Sequence, residues 1–349
     1  MLNHAVLFRR LLILVLLPGR LLTAGPAGLA WKIGPDEPAS QFNSEDADAG
    51  VVKEGGTLWV QASLWPHWRR FRGPDMDHLS PLPEARRDAS FSRPHGDDAY
   101  WSDGIWEDGS GKFHAIVHIE YDYSRPRKGF LWRRRIGLAT SDDHGANWHY
   151  EGDILTTNPK RPGRPSAGFT DFGCGDTYLF VDRRNGYFYL YYLTAWVDGK
   201  SGARADEVMS VARCPMSAGM APGAWKKWNG GEWAEPGIGG TEAPIFTDAD
   251  SAVIHFNSYL NAYVAIGRNS DGSAWIATCP TLSAQDWQPR DYDFPRRLYW
   301  YNWPIDPSTG DRYEIGQNLR VYSSEANVNG VGSKYMNIQF SFPARGAAP

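Results

Sequence analysis

Two acidic side chains stand at matching points of similar predicted hairpins. Asp103 precedes Phe113 by 10 residues and Asp176 precedes Tyr187 by 11, with a glycine-containing turn in each interval. Carboxyl groups brought close together can divide the work of hydrolysis, because one donates a proton while the other activates water. The alternative is that both aspartates only cap the turns at which their strands begin.

Further carboxylates follow the same pattern. Glu120 and Asp122 alternate along a predicted strand, so their side chains could face the same side, although a solvated strand end would look alike. Asp250, or its neighbour Ser251, stands at the point of the next unit that corresponds to the two aspartates. These residues are secondary candidates for a polar site.

Repeated segments must position these side chains. Each segment contains a strand, a turn and a tryptophan, and the equivalent points Ser141, Cys214 and Cys279 are separated by 73 and 65 residues. Upstream of each segment lies a predicted hairpin, marked most clearly by the Asn185-Gly186 turn. Each unit therefore has at least three antiparallel strands, and a mature chain of about 320 residues would hold four to five units.

The repeat predicts the fold class. Units of three to four antiparallel strands at this period are typical of propeller blades, so we expect an all-β, five-bladed β-propeller. A β-sandwich is the alternative. A weaker fourth unit covers 298–322, the segments 56–61 and 335–340 are expected to complete the fifth, and 65–93 is expected to form an irregular loop.

The N-terminus predicts export. Arg9 and Arg10 precede an apolar run at 11–17 that is too short to span a bilayer, and small residues follow it. We expect a signal peptide at 1–30 and a single propeller domain at 31–349, in a secreted or periplasmic protein of bacterial type. A membrane anchor is the alternative.

Composition limits the partners. Lys and Arg total 36 against 40 for Asp and Glu, so the net charge of -4 gives no basic excess for nucleic acid. The 16 Trp, 17 Tyr and 15 Phe suit both a β-rich core and stacking on sugar rings. After signal cleavage we expect a monomer without a membrane partner.

We also expect Cys174, Cys214 and Cys279 to be free and mostly buried, because nothing in the sequence brings them together.

The segment 141–148 matches the pattern S-x-D-x-G-x-x-W, which is the Asp box of sialidases and related propellers. Its expected role is structural. Asp143 can accept backbone hydrogen bonds, Gly145 permits the turn, and Trp148 can pack against its sheet.

The segment 175–192 resembles the start of a blade in five-bladed propeller glycosidases, notably family 43 glycoside hydrolases. The resemblance implies that Asp103 is the general base and that Asp176 orients the general acid and tunes its pKa. It also implies that the acid is Glu242, in the sequence Thr-Glu-Ala-Pro.

The same resemblance implies a carbohydrate substrate. Trp101, Trp106, Trp300 and Trp303 are candidate sugar-stacking platforms, and Glu120 and Asp250 are candidate polar contacts. His255 corresponds to a histidine near an axial metal ion or water, with a core histidine as the alternative. No cofactor is expected to be required, and a structural calcium ion is left open.

These points predict a secreted glycoside hydrolase that cleaves a poly- or oligosaccharide by carboxylate acid–base chemistry. One alternative is a carbohydrate-binding propeller without catalysis. Another is a sialidase-like or lyase propeller enzyme. A sialidase would need an arginine cluster, whereas Arg133, Arg134 and Arg135 are interpreted as the exposed edge of a strand.

Overall fold

The described part of the chain is almost entirely β-structure. In this computed structural model it comprises residues 30–39, 47–64, 66–92, 98–122, 132–288, 298, 301–324 and 334–341. Apart from Ala30, the predicted signal peptide lies outside these residues. No helix within them is long and apolar enough to cross a membrane.

The strands are numbered in chain order. The first twelve are β1 (Ala30–Pro38), β2 (Gly50–Glu54), β3 (Thr57–Leu64), β4 (His67–Gly73), β5 (Ser80–Leu82), β6 (Arg86–Arg87), β7 (Ala99–Glu107), β8 (Phe113–Asp122), β9 (Trp132–Ser141), β10 (Asn147–Leu155), β11 (Phe169–Asp182) and β12 (Tyr187–Asp198). The others are β13 (Arg204–Pro215), β14 (Lys226–Lys227), β15 (Glu235–Pro236), β16 (Phe246–Thr247), β17 (Ala249–Asn257), β18 (Ala262–Asn269), β19 (Ala274–Cys279), β20 (Tyr301–Ile305), β21 (Glu314–Ile315), β22 (Asn318–Ser324) and β23 (Lys334–Ser341).

These strands form successive antiparallel units. The unit orders are β2-β3-β4-β5, β7-β8-β9-β10, β11-β12-β13-β14, β17-β18-β19 and β20-β22-β23-β1. In the last unit β1 pairs antiparallel with β23, so both ends of the described chain lie in one sheet. The first strands of successive units, β2, β7, β11, β17 and β20, contact one another and therefore line the interior.

The third unit shows how the sequence builds a unit. At the turn, the Gly186 amide donates to the Asp182 carbonyl at 2.9 Å and Gly186 has a φ of 74°. β12 is then buried along nearly its whole length, because it lies between β11 and β13 with both faces covered. Such burial explains why its sequence is an almost continuous aromatic and apolar run.

The all-β prediction is confirmed, as are the three hairpins that anchor it. They correspond to the pairs β7–β8, β11–β12 and β17–β18. The three cysteines are free and buried, as expected.

Two predictions about segments outside the clear repeats were wrong, namely the pairing of 56–61 with 335–340 in a fifth unit and the irregular loop at 65–93. The segments 56–61 and 335–340 lie in different sheets, because β3 pairs with β2 and β4 while β23 pairs with β22 and β1. The stretch 65–93 contains β4, β5 and β6 rather than only irregular loop. The many arginines and prolines of this stretch led to the loop prediction, but Trp68 and Phe71 on β4 are buried, at 1% and 8% exposure.

The turn at 141–148 ties the second unit to the first. Asp143 Oδ1 accepts hydrogen bonds from the Asn147 amide and the Ser141 hydroxyl, both at 2.8 Å. Gly145 adopts a φ of 78°, which favours glycine. Trp148 is buried, and its indole donates to Gln61 Oε1 at 3.1 Å.

Candidate active site

The inner strands converge on a narrow cavity, here called the axial cavity. Its lining comes from the residues just before β2 and from β11, β12, β13, β17 and β20, and five of the lining residues carry titratable side chains: Asp48, Asp176, Tyr178, Asp250 and Tyr301. Its volume is about 20 Å³, which is enough for roughly one water molecule.

Asp48 lies at the lead-in to β2 and is 2% exposed. The Arg312 Nη2 donates to both oxygens of its carboxylate, at 2.9 and 2.7 Å. Burial raises the pKa of Asp48 to about 7, since the opposing effect of Arg312 is weaker and the neighbouring Asp103 adds to the rise. A carboxyl group of this kind can gain or lose a proton near neutral pH.

Asp48 was missed as a candidate in the sequence, although a signal for it exists. It precedes Trp59 by 11 residues across a Gly55-Gly56 turn, which is the interval that separates Asp176 from Tyr187. The hairpin starts at Gly50, several residues before the segment from which this unit was predicted.

Asp176 has a different environment. Its carboxylate forms an ion pair with Arg134 and accepts a hydrogen bond from the Tyr301 hydroxyl at 2.9 Å. Burial would raise its pKa, but Arg134 and then His118 outweigh burial and hold the pKa well below its usual range. Asp176 is therefore a permanent anion.

Glycines allow this arrangement. Gly173 pairs with Arg134 across β11 and β9, and a Cβ at Gly173 would lie 2.1 Å from the Arg134 carbonyl oxygen. A Cβ at Gly175 would lie 2.6 Å from His118 Nε2. Asp176 itself has a φ of 47°, an uncommon conformation for a residue other than glycine. The close approach of β11 to β8 and β9 thus fixes Asp176 beside its partners.

Asp103 lies behind Thr177, which lines the axial cavity. It has no exposed surface and is not part of the lining of the axial cavity. Its Oδ2 accepts hydrogen bonds from the Thr177 hydroxyl at 2.9 Å and the Thr177 amide at 3.3 Å, while Oδ1 has no hydrogen-bond partner among the described residues. Burial raises the pKa of Asp103 to about 6, against the opposing charge of His118.

His118 joins several acidic groups. Its Nδ1 lies 3.7 Å from both Asp103 Oδ2 and Asp176 Oδ1, and its Nε2 lies 3.4 Å from Glu120 Oε1. Burial alone would lower the pKa of His118, but the neighbouring Glu120 and the carboxylates of Asp176 and Asp103 raise it.

One group of donor atoms could hold a metal ion. Ligand atoms of His118, Glu120 and Asp176 lie within 4.8 Å of one another. Calcium takes six to eight oxygen ligands, whereas this group offers an imidazole nitrogen and shares Asp176 with Arg134. These three residues therefore do not fit calcium.

Glu242 faces a second cavity of about 250 Å³, here called the Glu242 cavity. Its Oε2 accepts a hydrogen bond at 2.6 Å from Lys227, whose side chain is completely buried. The middle of β12 and of β13 separates the two cavities, because Leu193 and Met209 line the axial cavity and Thr194 and Ser210 line the other.

Cys174, on β11, is fully buried. Burial raises the pKa of this thiol to about 12, and the charges of both Glu242 and Arg134 also act on it. Among the described residues, no hydrogen bond or ion pair links Glu242 directly to Asp103 or Asp176.

The candidate tryptophans lie in separate places. Trp101 is buried, with its ring centroid 5.5 Å from that of His118. Trp106 lies near the far end of β7 and packs edge-on against Phe188 at 4.7 Å. Trp303 is buried in a stack on another ring, and Trp300 lies outside the described residues.

Two other candidates occupy the fourth unit. Asp250 lines the axial cavity and forms an ion pair with Arg268. His255 is fully buried, and neither ring nitrogen has a hydrogen-bond partner among the residues that the structure describes. Burial lowers the pKa of His255 to about 3, so its ring is neutral.

The interpretation of Arg133, Arg134 and Arg135 as an exposed edge was wrong for the central residue. Arg134 is 3% exposed. Its guanidinium pairs with Asp176 and lies 3.9 Å from the ring centroid of Phe172. An inward partner that is distant in sequence explains the burial.

Comparison with known proteins bears on the fold. No protein-family model matches the chain, and no curated protein matches it. A family 117 glycoside hydrolase of Zobellia galactanivorans is similar at a TM-score of 0.55 and 10% identity, over 90% of each chain. An exo-β-1,3-galactanase of Phanerochaete chrysosporium is similar at a TM-score of 0.50 and 11% identity, over 87% of this chain and 64% of the galactanase. The chain therefore shares the β-propeller fold of glycoside hydrolases.

Proposed function

We propose that the chain is a glycoside hydrolase that cleaves poly- or oligosaccharides by carboxylate acid–base chemistry. One observation carries the proposal: Asp48, with a pKa raised by burial to about 7, lines a cavity that can hold about one water molecule. A base with a pKa near the working pH is suited to take a proton from water as that water attacks an anomeric carbon.

The base role is proposed for Asp48 rather than Asp103 because, of the two, Asp48 lines the axial cavity. Asp103 supports the site from behind, since it accepts two hydrogen bonds from Thr177, which is itself a lining residue. Asp176 supplies a fixed negative charge at the same cavity. That charge favours the positive character that develops on the sugar in the transition state.

Glu242 is proposed as the proton donor to the leaving oxygen. One observation supports it: its side chain borders the Glu242 cavity, which is larger than the axial cavity. The fold shared with glycoside hydrolases supports a carbohydrate substrate. The Arg9-Arg10 pair and the apolar run 11–17 support a secreted or periplasmic protein.

A carbohydrate-binding propeller without turnover is the second candidate. The pairing of Glu242 with the buried Lys227 favours it, because that carboxylate is already held by an ammonium group.

A glycan panel tests the proposal. The purified chain is incubated with plant, algal and microbial poly- and oligosaccharides, and reducing ends are measured together with direct binding. The matched control for Asp48→Asn is Asp77→Asn, because Asp77 also pairs with an arginine but its side chain is 54% exposed. We expect the wild type and D77N to hydrolyse at least one glycan, and D48N to bind that glycan without turnover. Binding without hydrolysis by the wild type would establish the second candidate.

Glu242→Gln tests the donor role separately. An enzyme without its acid should lose about 10²-fold or more in kcat on a natural glycan, but much less on an aryl glycoside whose leaving group needs no proton. An equal loss on both substrates, or a change in KM alone, would make Glu242 a binding residue.

A further inference from the structure

We propose that a cavity at the end of the inner strands opposite to Asp48 is a second binding site, which takes a neutral glycan chain. This cavity, here called the Trp106 cavity, is lined by the second half of β2, the end of β7, Arg183 and the loop 309–313. That the glycan is also the substrate polymer rests on the proposed function. The site itself rests on its position, its size and the groups that line it.

Its position separates the Trp106 cavity from the axial cavity. Asp48, Asp250 and Tyr301 line the axial cavity and lie at the starts of their strands or just before them. Lys53 and Glu107 line the Trp106 cavity and lie near the ends of β2 and β7. The five positions from Asp48 to Lys53 span about 16 Å of extended chain. A ligand in the Trp106 cavity therefore lies away from the bond that Asp48 would help to hydrolyse.

The size of the cavity suits sugar residues. Its volume is about 400 Å³, compared with about 20 Å³ for the axial cavity. Binding pockets for organic ligands usually measure about 300–1,000 Å³. Val51 and Ile105 add apolar surface, and the ring of Trp106 is only partly buried, so it remains open to contact. An aromatic ring of this kind can stack on the C–H face of a sugar.

The polar side chains of the cavity are accessible. Exposed or partly exposed are Lys53, Glu107, Arg183 and Asp311. Lys53 donates one hydrogen bond to a backbone carbonyl and Arg183 donates one to Asp311 at 2.6 Å, so both keep further N–H donors. Glu107 Oε1 accepts from the Gly111 amide at 2.7 Å, and its Oε2 has no hydrogen-bond partner among the described residues. Free donors and a free acceptor thus border the same space.

This mixture selects a neutral, hydroxylated ligand. Lys53 and Arg183 can only donate hydrogen bonds, whereas the ionised Glu107 and Asp311 can only accept them. The other lining cation, Arg312, is paired with Asp48. An anion would meet two carboxylates, and a cation would meet two basic groups. A sugar hydroxyl both donates and accepts, so a glycan can bond to both kinds of group.

A second site would strengthen the hold on a polymer. A long polysaccharide, or neighbouring chains of an insoluble one, can occupy both ends of the inner strands at once. Binding at one end then raises the effective concentration of glycan at the other. The Trp106 cavity should therefore increase the affinity for polysaccharides.

Matched pairs of variants test the site. Arg183→Ala is compared with Arg184→Ala, because the two side chains are 51% and 49% exposed and each pairs with a carboxylate. Trp106→Ala is compared with Trp59→Ala, because both rings are partly buried. Neither Arg184 nor Trp59 lines the cavity.

Binding is measured in the D48N background, with galactan, arabinan and xylan as neutral probes, polygalacturonate as an acidic one and a zwitterionic dipeptide as a third kind. We expect R183A and W106A to bind neutral polysaccharides about tenfold or more weakly, and R184A and W59A to match the parent. KM on any neutral polysaccharide that the wild type hydrolyses should rise in the same two variants. If W106A has a lower Tm than W59A, the arginine pair decides.

The inference is overturned if R183A binds neutral polysaccharides as tightly as R184A does, if polygalacturonate or the dipeptide binds more tightly than the neutral probes, or if no neutral polysaccharide binds. Failure of the proposed function looks different. Neutral polysaccharides would then be bound, and bound more weakly by R183A than by R184A, while the wild type hydrolyses no glycan.

Discussion

Two buried aspartates, each beside a buried arginine, behave in opposite ways. Among the described residues the cationic partner of Asp48 is Arg312, and the nearby Asp103 adds a like charge, so burial dominates and its pKa rises to about 7. Asp176 meets Arg134, the imidazole of His118 and the Tyr301 hydroxyl, and its pKa falls. An arginine partner alone therefore does not fix the protonation state of a buried carboxyl. The whole set of groups around it does.

The largest expected effect follows from removing the carboxyl that can exchange a proton. Asp48→Asn keeps an oxygen for Arg312 but cannot act as a base, so we expect kcat to fall about 10²–10⁴-fold. Steady-state kinetics on the glycan found by panel screening measures the loss. If D48N keeps an activity within threefold of that of the D77N control, Asp48 is not the base and does not differ in role from Asp176.

The next effect concerns the permanent anion. Asp176→Asn leaves the Arg134 guanidinium buried without a countercharge, so we expect the free energy of unfolding to fall by about 3–5 kcal/mol. We expect a smaller loss of kcat, about 10-fold to 10²-fold, since the fixed charge assists but does not transfer a proton. Denaturant unfolding and kinetics are measured together. An unchanged free energy of unfolding would contradict the ion-pair account.

The two aspartates should also give stability opposite dependences on pH. An unfolded aspartate has a pKa of about 3.9. Since folding raises the pKa of Asp48 to about 7, the native state binds the extra proton, and its stability falls as pH rises from about 4 to 7, by at most about 4 kcal/mol. Since folding lowers the pKa of Asp176, its contribution is present above about pH 4 and is lost as pH falls below that value.

Differences between wild type and each asparagine variant isolate these contributions. Unfolding free energies are measured from pH 3 to 8. Relative to D48N, the wild type should become less stable between pH 4 and 7, and relative to D176N it should lose its advantage only in acid. Slopes of the same sign would contradict the assignment.

A smaller effect tests the link between Asp103 and Asp48. The charge of Asp103 raises the pKa of Asp48, so Asp103→Asn should lower that pKa and move the acid limb of kcat/KM to lower pH. The pH–rate profile measures the shift. A shift to higher pH would show that Asp103 acts on Asp48 in some other way.

The smallest effect is expected at His255, on β17. His255 is buried, neutral and without a described hydrogen-bond partner, so His255→Leu should leave kcat and KM unchanged and stability equal or higher. Loss of activity would instead make His255 part of the site.

The sequence predicted the fold better than the site. Hairpin turns such as Asn185-Gly186 are local signals, and they located the paired strands correctly. Asp48 was missed because the unit was predicted from the segment 56–61, which is the second strand of its hairpin. The first strand begins at Gly50, and Asp48 lies just before it. The burial of Arg134 depends on Asp176, 42 residues away, and no local pattern shows such a pairing. The sequence shows that Thr194 and Trp196 lie two positions apart on a predicted strand, but it does not show that they border a cavity.

The most direct measurement is a titration of the aspartate carboxyls by carbon-13 NMR, with D48N and D176N spectra to assign the two resonances. The account predicts that Asp48 titrates near pH 7 and that Asp176 does not titrate down to pH 3. An Asp48 resonance that titrates below pH 4 would contradict the claim that the axial cavity holds a proton-exchanging carboxyl.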